Sequence, residues 1–318
     1  VQHVIARSPI EVLRGCMLGV AVGDALGEPV EFLKENEIRR IYGPDGITDY
    51  PGSVGWITDD TQMTIATAKG LLDSVMAVQA GDVAAVAANI YQQYLLWHAS
   101  QSDPAERRGP GRTCMSALGS GRMGSVADPI NDSKGCGGVM RVAPVGLALP
   151  GRPQLAYRLG EASAAITHGH PGGYTPAGFL AALISELAAG VVLDDAVRDL
   201  TAVTPLDATT RRLIEAACRL ANAKVGPAEA FTELGEGWTG DEALAIALYA
   251  ALRCDSDFTA ALFLAVNHSG DSDSTGSICG AILGAACGAP AIPERLLVNL
   301  ERRDEIEGLS REMARAFA

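Results

Sequence analysis

Glycine recurs at every fourth position in two distant segments, at Gly15, Gly19, Gly23 and Gly27 and again at Gly276, Gly280, Gly284 and Gly288. Residues four apart lie along one ridge of an α-helix. Each glycine in a helix interior costs about 1 kcal/mol relative to alanine. A whole stripe therefore needs a compensating gain, and close approach of two backbones supplies one. The pattern predicts two glycine-faced helices packed at short range. Such stripes also join membrane helices, but these segments are too short to span and carry Asp24 or border Asp273. Pairing the helices would bring together the loops at their ends, Asp24 to Glu31 and Asp271 to Thr275.

The rest of the chain points to helices throughout. Only 5% of residues are aromatic, 48% are apolar, and alternating β-branched runs are nearly absent. A large core rich in alanine predicts an all-α, compact multi-helix fold. Helices are predicted at 9–22, Thr58 to about Ser74, 82–98, 138–149, 153–167, 174–190, 193–200, 207–224, 241–253, 257–267 and 275–288, with a charged amphipathic stretch at 293–317. Residues 34–57 read as a long loop, and 100–137 as surface loop around a short helix. No low-complexity linker divides the 318 residues, so 1–318 reads as a single domain.

The formal net charge of −13 makes a nucleic-acid partner less favourable, because a phosphate backbone calls for a basic footprint. It leaves room for a nucleotide-like ligand, since bound divalent metal inverts the local charge of an acidic cluster. None of the seven cysteines forms a Cys-x-x-Cys pair, which argues against a zinc knuckle. Free thiols imply a reducing, cytoplasmic location. Residues Val1 to Arg7 lack the layout of a secretory leader, and no apolar run is long enough for a membrane span. The default oligomeric state is a monomer.

The sharpest chemistry sits in two acidic segments. In Gly55-Trp56-Ile57-Thr58-Asp59-Asp60-Thr61, Thr58 is a good N-cap and both aspartates fall in the first helical turn. A capped helix start explains that much without any ligand. In His268-Ser269-Gly270-Asp271-Ser272-Asp273-Ser274-Thr275, Asp271 and Asp273 can turn toward one point and Ser274 can cap or ligate. An EF-hand is ruled out because Ile282 stands where its bidentate Glu is needed. Hard oxygen donors without cysteine suit Mg²⁺ or Mn²⁺, and four or more carboxylates call for one or two such ions. Three further polar islands stand out: 23–31, 131–141 and 167–171. Within 131–141, glycines just before a helix could cradle an anion. A His beside Pro, as at His170-Pro171, is more often structural than catalytic.

Five segments, Gly-Asp-Ala-Leu-Gly with Glu31, Trp-x-Thr-Asp-Asp-Thr-x-Met, Gly-Gly-x-Met-Arg, Thr-His-x-x-Pro and Gly-Asp-x-Asp-Ser, follow one another in this order. Together they resemble the ADP-ribosylglycohydrolase family over roughly residues 12–288. The resemblance implies an all-α hydrolase that cleaves ADP-ribose from an acceptor at a centre of two divalent metal ions, Mg²⁺ or Mn²⁺. It implies metal ligation by Thr58, Asp59, Asp60, Asp271, Asp273 and Ser274. It implies proton transfer at Glu31, with Asp59 and Asp60 as the other catalytic candidates. Ser133, Gly135, Gly137 and Gly138 would line the diphosphate, and His168 would contact the ribose or phosphate region. The chain departs from the family pattern at Cys136, where Asn is common, and at Lys134, where an aromatic can sit. Two other readings are a dimetal phosphohydrolase, which would bring a His-Asp pair that this chain lacks, and a silent ADP-ribose-binding relative, which would have no need of every aspartate.

Overall fold

The computed structural model describes residues 7–317. Most of the N-terminal stretch read for a leader, residues 1–6, lies outside them. The helices in chain order are α1 (Pro9–Gly27), α2 (Glu35–Tyr42), α3 (Asp59–Leu72), α4 (Val75–Ala80), α5 (Val83–Ser100) and α6 (Arg112–Gly119). They continue with α7 (Ala143–Leu147), α8 (Pro153–Ala165), α9 (Pro171–Ala188), α10 (Leu193–Val203), α11 (Ala208–Asn222) and α12 (Pro227–Leu234). The last are α13 (Gly240–Arg253), α14 (Phe258–Val266), α15 (Ser272–Cys287), α16 (Glu294–Leu297) and α17 (Arg303–Phe317). Among the described residues there is no strand, only isolated bridges at Gly55–Leu300 and Gly135–Thr239. The all-α expectation holds, and the helices enclose one hydrophobic core.

The two glycine stripes meet. A Cβ placed on Gly15, Gly19 or Gly23 would come within 3.0 Å of the carbonyl oxygen of Gly284, Gly280 or Gly276 respectively, and the reverse is equally true. The seam is therefore antiparallel, backbone against backbone, and carries no side chain. Gly27 continues it against Ser272 and Asp273. Gly288 has a different role: at φ +79° it ends α15, its N–H donating to Gly284 O.

Several boundaries differ from the sequence expectation. Helix α1 runs on through Gly27, because α15 covers its glycine face to the end, so Asp24 is helical rather than in a loop. Helix α15 starts at Ser272 rather than 275, with Asp271 as N-cap accepting from Ser274 N at 3.2 Å. Helix α2 interrupts the predicted loop of 34–57, and α4 and α12 were not expected. The predicted helix 138–149 reduces to the 3₁₀ turn Cys136–Gly138 and the five-residue α7. The stretch 293–317 divides into α16 and α17 where Gly55 N donates to Asn299 O. No helix of the described residues is long and apolar enough to cross a membrane.

Candidate active site

The glycine seam delivers the C-terminal end of α1 and the N-terminal end of α15 to the same place, and α3 is tied to them by Asp24. That side chain is fully buried and accepts from Thr58 N, Thr61 N and Thr61 Oγ1. It acts as a cap from a neighbouring helix on the first turn of α3. Thr58 is itself the N-cap, its Oγ1 accepting from Asp60 N at 3.2 Å. Asp59 is held from the other side by Gly111 N, which donates to its Oδ2 at 3.0 Å.

These elements surround a cleft of about 760 Å³, within the range of small-molecule sites. Thr58, Asp59, Asp60, Asp271, Asp273 and Ser274 all line it, as do Glu31, Gly135, Gly137 and His168. One carboxylate oxygen each of Glu31, Asp271 and Asp273 lie within 4.8 Å of one another. Ser133 and Gly138 are not in the lining. Ser133 Oγ lies 3.3 Å from Thr113 Oγ1 and accepts from Gly135 N. Gly138 packs behind the wall, where a Cβ would come to 2.8 Å from Ala164 Cβ and 3.0 Å from Gly173 O. Its lack of a side chain is accounted for by packing. His170, read as structural, caps α9 by accepting from Gly172 N at 2.9 Å.

The electrostatics are those of acids forced together out of water. Burial, then the charges of Asp271 and Asp59, raises Glu31 to about 8. Burial raises Asp59 to about 7 against the stabilising Gly111 N–H. Asp24 rises to about 6 through burial, opposed by its threonine hydrogen bonds. Asp60 and Asp273 are pushed well above the carboxylate range by burial and then by their acidic neighbours. Asp60 Oδ2 is buried and has no hydrogen-bond partner. Cys136 donates its thiol proton to Asp271 Oδ2 at 2.8 Å.

Part of the wall carries no mark in the sequence. Arg108 and Arg112 line the cleft on the Asp59 side, Arg108 packed over Trp56 and paired with Glu301 at 2.8 Å. Trp238 lines the opposite rim and stacks on exposed Phe32, with ring centroids 5.3 Å apart. The bridge between Gly135 and Thr239 sets Trp238 beside the glycine segment. Trp56, in the first acidic segment, is on the rim and 53% exposed.

The chain is 30% identical to the ADP-ribosyl-[dinitrogen reductase] glycohydrolase of Rhodospirillum rubrum, over 92% of this chain and 91% of that one. It is 28% identical to the human ADP-ribosylhydrolase ARH3, over 98% of this chain and 95% of that one. A solved structure described as an ADP-ribosylglycohydrolase-related protein complex superposes with a TM-score of 0.74 at 28% identity, covering 98% of this chain and 99% of its own. The sequence profile of ADP-ribosylglycohydrolases matches residues 7–318, and with a match that spans nearly the whole chain this protein belongs to the ADP-ribosylglycohydrolase family.

Proposed function

We propose that this enzyme, a glycosidase by its family, hydrolyses the bond between the distal ribose of ADP-ribose and an acceptor, using two divalent cations, Mg²⁺ or Mn²⁺, held by Thr58, Asp59, Asp60, Asp271, Asp273 and Ser274. The observation that carries the reading is Asp60 Oδ2, a buried carboxylate oxygen with no partner among acids raised by one another's charge. A buried charge of that kind needs a counter-charge, and the donors present are hard oxygens that fit either ion. Bound there, the cations would orient the ribose hydroxyls and ease deprotonation of a water.

The chain's own groups supply the rest. Glu31 faces the cleft with a proton affinity raised toward neutrality, which suits transfer of a proton to the leaving group or from the attacking water. It is our first candidate for that step, ahead of Asp59 and Asp60. Gly135 and Gly137 leave their side of the cleft open to a diphosphate, with Ser133 and Gly138 shaping that segment from behind. His168 stands beside them, and Trp238 offers an aromatic face to a base. The whole of 1–318 is read as one such domain, monomeric and, with seven free thiols, cytoplasmic.

The test is release of free ADP-ribose from ADP-ribosyl-arginine, ADP-ribosyl-serine, ADP-ribosylated DNA and O-acetyl-ADP-ribose, each with Mg²⁺, with Mn²⁺ and with a chelator. Metal-dependent release from any one supports the reading and selects the acceptor. No release from any, with ADP-ribose still bound, favours a silent relative. Failure to bind ADP-ribose at all would discard the ligand.

The raised acids also set a sign for pH. A carboxyl whose folded pKa lies above its unfolded value near 4 contributes stability that is complete below that value. This contribution is lost as pH rises through the folded pKa. For Asp24, Asp59 and Glu31 the loss extends through about 6, 7 and 8. Metal-stripped protein is therefore expected to melt several degrees lower at pH 8.5 than at pH 5.5, and millimolar Mg²⁺ or Mn²⁺ should close the gap. A melting temperature that rises over that range without metal would contradict the proposed strain.

A further inference from the structure

Arg141 is the one lysine or arginine among the described residues whose side chain is fully buried, and no carboxylate pairs with it. Its guanidinium lies over the Tyr94 ring at 4.3 Å, with Met63 Sδ, Cys114 Sγ and Ser163 O at 3.3–3.4 Å. Its Nε has no partner. A buried cation without a counter-charge is a costly arrangement. One of its contacts is short and directed: Nη2 donates to Thr167 Oγ1 at 2.7 Å.

Thr167 Oγ1 lies 2.8 Å from His168 Nδ1. An oxygen that accepts from a guanidinium is free to turn its own proton elsewhere, and Nδ1 is the ring acceptor within reach. When the hydroxyl donates to Nδ1, the ring proton resides on Nε2. That edge of the ring looks toward the glycine segment of the cleft. A Cβ on Gly135 would stand 3.4 Å from His168 Nε2, and one on Gly137 would crowd Cε1 at 2.8 Å. Gly135, Gly137 and His168 all line the cleft, and among the described residues Nε2 has no hydrogen-bond partner in the protein.

We propose that Arg141 and Thr167 are positioning residues that lock the His168 ring with its proton on Nε2, presenting one fixed donor to a phosphate or hydroxyl oxygen of a ligand lying along Gly135 and Gly137. The ligand half of this inference rests on the ADP-ribose reading; the ring half does not. Burial, aided by the nearby Arg141 charge, lowers His168 to about 3, so the ring stays uncharged at working pH. A neutral ring can carry its proton on either nitrogen, and the Thr167 hydroxyl makes the choice. This gives the uncompensated guanidinium a purpose at a cleft it does not reach.

The test uses Thr167→Val, close in shape but without the hydroxyl, and Thr167→Ser, which restores it. Ring tautomers are read from ¹⁵N–¹H correlation spectra, with His168→Gln to assign the signals, and affinity from calorimetry with free ADP-ribose. Wild type and Thr167→Ser should show the Nε2–H form, and Thr167→Val a mixture. ADP-ribose should bind about tenfold more weakly to Thr167→Val and within about twofold of wild type to Thr167→Ser. With a turnover substrate the Thr167→Val loss should appear in KM more than in kcat. A wild-type ring that is charged or carries its proton on Nδ1 overturns the inference, as does Thr167→Val with unchanged tautomer or affinity. If Thr167→Val does not fold, the wild-type spectrum decides. If no form binds ADP-ribose, the functional reading falls while the spectra still judge the lock.

Discussion

Asp60→Asn should abolish metal-dependent release of ADP-ribose and, in the same protein, raise the melting temperature of the metal-free form. Asp60 is 2% exposed, and its Oδ2 has no partner. Its proton affinity is raised first by burial and then by Asp24, Asp59 and Asp271. At neutral pH without metal, the fold bears either an unpaired charge or the work of keeping it protonated. Asparagine has nearly the same volume and no charge. Relief of about 1–2 kcal/mol is expected, or roughly 1.5–3 °C for a chain of this size. Activity should fall by more than the roughly 100-fold typical of losing a mere outer-shell partner of a metal. The rise in melting temperature on adding Mg²⁺ or Mn²⁺ should shrink or vanish. Opposite movement of stability and activity is the mark of a residue kept for function. Retained activity would remove Asp60 from the site. Lost activity with the full metal-dependent gain in stability would make it something other than a ligand.

The acids at 58–60 and 271–274 were legible because their signal is local: a cap residue, a first turn, carboxylates at short spacing. The role of Asp24 was not. In the sequence it reads as the start of the polar loop 24–31, and only the arrival of α3 turns it into a buried acceptor for Thr58 and Thr61. Helix α2 was missed because Ile38 is its only buried residue, too little for a periodic pattern amid glycine and proline. The glycines of 135–138 look alike in sequence but divide in space. Gly135 and Gly137 face the cleft, whereas Gly138 is small because Ala164 and Gly173 lie against it. Trp238 is a lone aromatic in a loop, and a bridge to a residue about a hundred positions earlier makes it part of the site. Apart from α2, what the sequence withheld was a contact between distant segments.

The exception is the glycine seam, where a long-range contact is written as a spacing, and there the largest loss of stability is expected. In Gly19→Ala the added methyl would fall within 3.0 Å of the Gly280 carbonyl, where backbone meets backbone and neither side has a flexible end to move. Overpacking in cores commonly costs about 1–3 kcal/mol, and this site should lie at or above the top of that range. The melting temperature should drop by roughly 4–5 °C or more. Gly308→Ala, in α17 with nothing within 4 Å of the new methyl, should instead gain about 0.5–1 kcal/mol from helix propensity and a less flexible unfolded chain. Gly27→Ala separates stability from function. Its methyl would press on the backbone of Asp273 at 2.5 Å, at the active-site end of the seam. It should therefore lower metal affinity and ADP-ribose release further than its melting temperature alone would account for, whereas Gly19→Ala, farther along, should lose activity only as it loses folded protein. Thermal melts with and without Mg²⁺, run beside the release assay at a temperature where each variant is folded, read both effects. An unshifted Gly19→Ala melt would mean the helices do not approach at this distance. Equal behaviour of the two variants would mean the seam only holds the fold together and does not place the acids of α15 against those of α3.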